Sequence, residues 1–494
     1  MVKKNKNLMI LGTSSGVGKS IITTGLCRIF YKDGYSTVPF KAQNMALNSF
    51  VTRDGLEIGR SQGVQAAACK IEAEGFMNPL LLKPCGNNTI QVILNGKPVG
   101  NMSGYEFFKE KPKYREDILK AYKNTEKFDI CVLEGAGSPV EINIKENDLV
   151  NMGMAEMADA PVILTADIDR GGVFASVVGT MVLLEPHEKK RVKGIIINKF
   201  RGKKESLEPG IKKLEELTGV PVLGIVPYGN IDIEDEDRVT DKLRKLTDGT
   251  INIAVINLNH LSNFTDMDPL KRIKDVSIDY VDEPYELDKA DIIIIPGSKN
   301  TIHDMEIMRE KKMDIKIKEL YERGKIIIGI CAGFQILGKT LKDMQGIEGN
   351  IQISQGLGIL DIDTVFLDGK MTTQYKGELK NTSGILEGLD GEKIEGFEIH
   401  HGASFTKTET KLTDDTFVKA VVKENVFGTY IHGIFENNRI TEKILNIVRE
   451  KKGISELKLK ETFEEYREKE FDKLEKLLRE NLDIEKIYEI IENN

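Results

Sequence analysis

The chain has no tryptophan, and its 494 residues include only five cysteines and six histidines. Cys27, Cys69, Cys85, Cys131 and Cys331 are scattered without metal-type spacing. An odd, sparse set of this kind argues against a disulfide framework and for reduced thiols, as in a cytoplasm. No apolar run approaches the length of a membrane span, and the Met-Val-Lys-Lys start leads straight into a strand-like run rather than a signal peptide. A cytoplasmic protein without membrane partners is expected. Excess positive charge is lacking too. The net charge is -8, which argues against non-specific nucleic-acid binding while leaving room for local basic pockets. No internal repeat is visible.

What is present alternates. In the first half, Leu8–Gly12, Ile130–Leu133, Pro161–Thr165, Gly194–Asn198 and Val222–Val226 are short runs rich in Ile, Val and Leu. Each is followed by small residues and a helical period, the signature of an α/β fold with a parallel sheet and crossover helices. Across Gly229–Arg238 the chain turns acidic and turn-rich, which puts a domain boundary near residue 245. The second half alternates again, with Ile251–Asn257, Asp291–Ile295, Lys325–Ile330 and runs near Leu360 and Phe427. Residues 1–245 and 250–440 are therefore expected to be two α/β domains. Residues 441–494, mostly Lys, Glu and Leu at helical spacing, read as a charged helical segment packed on the body.

The run KIIIGICAGFQILG carries the first piece of chemistry. Cys331 stands between Gly329 and Gly333 at a strand-to-helix corner, the arrangement of a nucleophile elbow. The helix N-terminus favours thiolate at such a position. The thiolate can attack an amide carbonyl while the backbone N–H of Ala332 helps hold the oxyanion. The bland alternative is a buried structural cysteine.

The second piece is GTSSGVGKS, Gly12–Ser20, directly after the first strand. Backbone N–H groups around Gly12, Thr13, Gly16 and Gly18 can close on phosphate oxygens, Lys19 can reach terminal phosphates, and the Ser20 hydroxyl can ligate Mg²⁺. The loop holds one residue more than the standard P-loop and looks like that of dethiobiotin synthetase. Glu134 ends the strand in FDICVLEGAGSPVEIN, at the carboxyl edge where open α/β sheets bind ligands, and is placed to hold Mg²⁺. Asp167, Asp169 and Arg170 end another strand, and Asn198 ends the next, where it could read the nucleotide base or simply form a turn.

Taken together, these segments resemble the cobyric acid synthases, glutamine-dependent amidases of cobalamin biosynthesis. The matching runs are FKAQNMALNS, EIGRSQGVQAAA, NPLLLKP, EGAGSPVEIN, DIDRGGVFAS, NKFRG, SNFTDMDPL, PGSKNT, CAGFQ and GTYIHGIF, in family order through both halves. The resemblance implies a P-loop, dethiobiotin-synthetase-like amidoligase domain followed by a class I glutamine amidotransferase domain. It implies ATP and Mg²⁺ as cofactors, L-glutamine as nitrogen source, and amidation of the b, d, e and g carboxylates of adenosylcobyrinic acid a,c-diamide. It makes His432 the base that takes the thiol proton and later activates water, and Gly297 a second oxyanion donor. His400 and His401 match a family motif but receive no catalytic role. Lys41, Arg60, Lys83 and Arg170, all inside matched runs, are candidates to hold the polyanionic corrinoid.

Two departures stand out. Many class I glutaminases carry Glu two residues after the histidine, where this chain has Ile434. A third triad member is then absent or supplied elsewhere, Glu436 being one candidate. Asn259-His260 also stands where the family commonly has Pro-Arg. The nearest rival reading is the cobyrinic acid a,c-diamide synthase of the same pathway, against which KAQNMALNS and DIDRGGVFAS weigh. A distant one is a partitioning-type P-loop ATPase switch, but such proteins carry an extra lysine early in the loop, where this chain has Thr13, Ser14 and Ser15.

Overall fold

A computed structural model describes residues 5–86, 89–229, 231–233 and 249–493. The domain boundary expected near residue 245 lies outside the described residues. The chain divides into two compact units, the first comprising Met1–Thr52, Leu56–Asp237 and Arg467–Asn494, the second Arg53–Gly55 and Arg238–Tyr466.

In the first unit a six-stranded sheet runs Val222–Pro227, Val192–Phe200, Val162–Asp167, Lys6–Gly12, Ile130–Glu134, Thr37–Phe40, and every neighbouring pair is parallel. Leu8, Met9, Ile10 and Leu11 are fully buried, as expected of a central strand covered on both faces. Each such side chain contributes roughly 1.5–3 kcal/mol by leaving water. All five expected strands form. Thr37–Phe40 is additional. It is four residues long, contains Pro39, and pairs only with Ile130–Leu133, so the missing proline N–H is tolerated at an edge. The chain leaves the first strand toward one side of the sheet and later crosses to the other. The strand ends beside Lys6–Gly12 therefore flank a topological switch point, where such sheets bind ligands.

The second unit has its own six-stranded sheet, ordered Val276–Val281, Ile251–Ile256, Ile292–Ile295, Ile326–Ile330, Val426–Thr429, Ala420–Lys423, parallel except for the last pair. Beside it, Ile362–Glu378 and Lys393–Thr406 form a long antiparallel ladder. The strand-like run expected near Leu360 opens this ladder, but its extension to Glu378 and its partner strand are not foreseen, because their largely polar, half-exposed sequence carries little strand signal.

The expected 441–494 segment is divided between the units. Helix Asn438–Lys451 buries Ile440, Ile444, Leu445 and Val448 in the second unit's core. From Arg467 onward the chain belongs to the first unit, where Leu474, Leu478, Leu482, Ile487, Ile490 and Ile491 pack with Leu8, Ile10, Ile22, Leu26 and Phe30. Gly25 allows the close approach there, since a Cβ on it would sit 2.3 Å from Leu478 Cδ1 and force that side chain to shift. Arg28, 3% exposed, closes the contact with ion pairs to Glu468 (2.8 Å) and Asp472 (2.7 Å). The final helices thus complete a core, which the helical period alone could not assign to either unit.

Candidate active sites

The buried strand Ile326–Ile330 delivers Cys331, whose N–H donates to Thr429 O (2.8 Å) before the chain turns into helix Ala332–Leu337. At this corner Cys331 has φ 54° and ψ −107°. A side chain held at such angles stores roughly 1–3 kcal/mol, and this kind of strain concentrates at functional sites. The flanking glycines let strand and helix approach. A Cβ on Gly333 would lie 1.8 Å from Ile295 O, and one on Gly329 would lie 2.6 Å from Gly333 O. Cys331 is 5% exposed, with Sγ 3.7 Å from Ile399 O.

His432 follows strand Val426–Thr429 and is fully buried. Phe397 stacks on its ring at 5.0 Å between centroids, and His432 N donates to Phe397 O at 2.8 Å. Its Nδ1 lies 2.7 Å from Asp266 Oδ2, while Asp266 Oδ1 accepts from Gly433 N at 2.9 Å. The carboxylate that meets His432 Nδ1 is therefore Asp266, not Glu436, and Ile434 is a core residue. Burial pushes the His432 pKa down, but the charge and hydrogen bond of Asp266, joined by Cys331, outweigh it and raise it to about 10. With Nδ1 turned to Asp266, Nε2 is the nitrogen left to exchange a proton with the thiol. Asn263 Nδ2 stands 3.3 Å from that Nε2.

Asp266 and Asn263 follow the short strand Leu261–Ser262, which pairs with Gly297–Ser298. This places Gly297 against the base: a Cβ on it would lie 3.4 Å from His432 Cε1. Asp266 lies in the run SNFTDMDPL, already singled out as a matched segment. A carboxylate in a matched run without an assigned role was the available signal. His400 instead stacks on Tyr430 at 3.8 Å and lies 3.3 Å from Glu398, in keeping with a structural place.

In the first unit, the loop from Gly12 to helix Lys19–Lys32 has Gly16 and Gly18 at φ 70° and 97°. Lys19 Nζ bends over the loop to Ser14 O (2.9 Å) and Gly137 O (3.1 Å). Gly12 stays bare because a Cβ would lie 2.6 Å from Val17 Cγ2. Thr13 N donates to Thr165 O at 3.0 Å, so Thr13 anchors the loop to the neighbouring strand with its N–H. Asn198 holds the loop from the other side: its amide donates to Val17 O (2.9 Å) and accepts from Lys199 N (2.9 Å). With the side chain 3% exposed, this is a loop-positioning contact and not an edge turned toward a base.

Three elements converge on Glu134, which is 1% exposed. Ser20 Oγ donates to Oε1 at 2.7 Å, Lys41 Nζ to the same oxygen at 2.8 Å, and Gln65 Nε2 to Oε2 at 2.6 Å. Hydroxyl and carboxylate oxygens side by side are the donor set a hard cation takes. Of the four residues expected to clamp the corrinoid, Lys41 thus belongs to the nucleotide edge. Lys83 is corrected: it is fully buried, with Nζ 2.6 Å from Glu57 Oε1 and bonded to Ser49 Oγ, so its charge is consumed inside the fold. Arg60 is 7% exposed, its guanidinium 5.7 Å from the centre of the Phe50 ring. Arg170 is exposed, with Nη2 3.9 Å from where a Gly16 Cβ would stand, beside the phosphate loop.

Two sheets, each with reactive residues at its carboxyl edge, agree with what the chain is similar to. Residues 8–239 match the CobQ/CobB/MinD/ParA nucleotide binding domain, and residues 252–440 match the CobB/CobQ-like glutamine amidotransferase domain. Cobyric acid synthase of Caldanaerobacter subterraneus subsp. tengcongensis is 48% identical, over 98% of this chain and 98% of its own. That of Clostridium tetani is also 48% identical, over 99% of both chains. The Clostridium novyi protein is 46% identical, over 99% of this chain and 98% of its own. With a nucleotide-binding unit, an amidotransferase unit and full-length similarity to these relatives, the chain belongs to the cobyric acid synthase family of glutamine-hydrolysing ligases in cobalamin biosynthesis.

Proposed function

We propose that the protein converts adenosylcobyrinic acid a,c-diamide to adenosylcobyric acid, amidating the b, d, e and g carboxylates with ATP, Mg²⁺ and ammonia from glutamine. The observation that carries this reading is the pairing of a Cys331–His432–Asp266 site with a phosphate loop that faces Glu134, in a chain similar end to end to cobyric acid synthases.

In the glutaminase half, His432 holds at Nε2 the proton given up by the thiol, and Asp266 at Nδ1 stabilises that imidazolium. Cys331 Sγ attacks the glutamine amide carbon. The N–H groups of Ala332 and Gly297 hold the oxyanion, and His432 returns the proton to the departing ammonia. His432 then draws a proton from water, which releases glutamate from the thioester.

A carboxylate does not react with ammonia until one oxygen is made a leaving group, most simply as an acyl phosphate. The loop N–H groups of Gly16 and Gly18, with Lys19, would hold the triphosphate, and Arg170 stands beside them as a cation for charge developing on the transferred group. Ser20 and Glu134 would hold Mg²⁺, which supplies charge neutralisation on the phosphates. Lys41, already paired with Glu134, keeps a positive charge at the same edge.

The test is incubation with the a,c-diamide, ATP, Mg²⁺ and glutamine, followed by mass spectrometry of the corrinoid. Four successive amidations are expected. Amidation of cobyrinic acid with none of the diamide would assign the chain to a,c-diamide synthesis instead.

A further inference from the structure

A cluster of ligand-type side chains is built from residues that neither reaction centre uses. His260 precedes strand Leu261–Ser262, and its carbonyl accepts from Lys299 N at 2.9 Å. Asn300 caps helix Thr301–Glu310 by accepting from His303 N at 3.1 Å, which puts His303 and Asp304 in the first turn. These local folds bring the three side chains together. His260 Nδ1 is 2.8 Å from Asp304 Oδ1, and the two imidazole rings meet edge to face with centroids 5.2 Å apart. One ligand atom from each of the three lies within 4.8 Å of the others.

The cluster has a rigid member and an adjustable one. Asp304 is buried, and its Oδ2 is pinned by Ser298 Oγ (2.5 Å) and His260 N (3.2 Å). His303 is exposed on the helix surface, where a change of rotamer meets no core packing. A tetrahedral ion with bonds of about 2.0–2.1 Å needs donors roughly 3.3–3.5 Å apart, so a small movement of His303 closes the set. Two imidazoles and one carboxylate suit zinc and its borderline neighbours, whereas Mg²⁺ and Ca²⁺ take oxygen alone.

We propose that His260, His303 and Asp304 form a binding site for a divalent transition metal of the zinc class, with water completing the coordination. The site shares its ladder with Gly297 but uses none of the residues of the glutaminase triad.

The test uses the full-length protein carrying Cys331→Ala and Cys85→Ser, which lacks the glutaminase-site thiol and the partly exposed one as competing zinc ligands, with excess Mg²⁺ to fill all-oxygen sites. Zn²⁺ is titrated by calorimetry and Co²⁺ by visible absorption. One saturable equivalent is expected, with the intense absorption of low-coordinate cobalt, and at least tenfold weaker binding after His260→Ala or His303→Ala. His303→Ala alters an exposed side chain and keeps the test decisive if His260→Ala disturbs the ladder. Absence of saturable binding, or affinity unchanged by His303→Ala, overturns the site.

Discussion

Asp266 Oδ2 lies 2.7 Å from His432 Nδ1, although 166 residues separate the two in the chain. The contact orients the imidazole, fixes which nitrogen faces the nucleophile and holds the ring's positive charge. Asp266→Asn should therefore lower glutamine-dependent turnover by about two to four orders of magnitude, as expected when the orienting carboxylate of a triad is neutralised. Ammonia-dependent amidation should be spared. Both rates are read from amidated corrinoid formed per unit time.

The same pair makes a pH prediction for stability. Against the lowering by burial, Asp266 and Cys331 raise the pKa of His432 in the folded protein to about 10, above its ordinary value of about 6.5. A raised folded pKa means that protonation favours the native state. The contribution is fully present below about pH 6.5 and is lost as pH rises through about 10. Denaturant midpoints for wild type and Asp266→Asn should differ most at the acid end of this window and converge at its alkaline end.

Cys331→Ala should abolish glutamine as a nitrogen source, because the mutant lacks the atom that forms the thioester. High ammonia at alkaline pH should still support ATP-dependent amidation, since the phosphate loop is built in the other unit. His432→Ala should behave alike. Retained glutamine-dependent activity in Cys331→Ala would overturn the nucleophile assignment.

Lys19→Ala should eliminate amidation with either nitrogen source. Groups that stabilise charge in phosphoryl transfer contribute ~3–5 kcal/mol, which corresponds to a loss of several orders of magnitude. Glutamine hydrolysis measured alone serves as the folding control. Near-normal turnover with ammonia would remove the ATP-site assignment.

Lys83→Ala should act on stability rather than on substrate affinity. It strands Glu57 as an uncompensated buried charge, at a cost of about 3–5 kcal/mol. The double change Lys83→Met with Glu57→Leu should recover most of that loss. Thermal unfolding gives the first result and the corrinoid KM the second, which should stay near the wild-type value in the folded single mutant.

Much of this protein is legible in its sequence. The phosphate loop and the nucleophile elbow are each a strand, a glycine turn and a helix start in one continuous run. Local backbone geometry therefore sets where their side chains stand, and the sequence by itself determined the strand-to-helix corners that carry Lys19, Ser20 and Cys331 and the alternation that builds two mainly parallel sheets. Tertiary structure alone decided the rest. Which carboxylate reaches His432 depends on where the Leu261–Ser262 and Gly297–Ser298 ladder carries Asp266. Whether a lysine in a matched run meets substrate or a buried glutamate depends on pairing across folded space, as Lys83 and Glu57 show. The final helices have an apolar stripe that fits any complementary core, and only packing against Gly25 and its neighbours assigned them to the first unit. Side-chain type and local period are properties of a segment. Partner choice is a property of the closed fold, because a buried charge or apolar face takes its stability from whatever completes it.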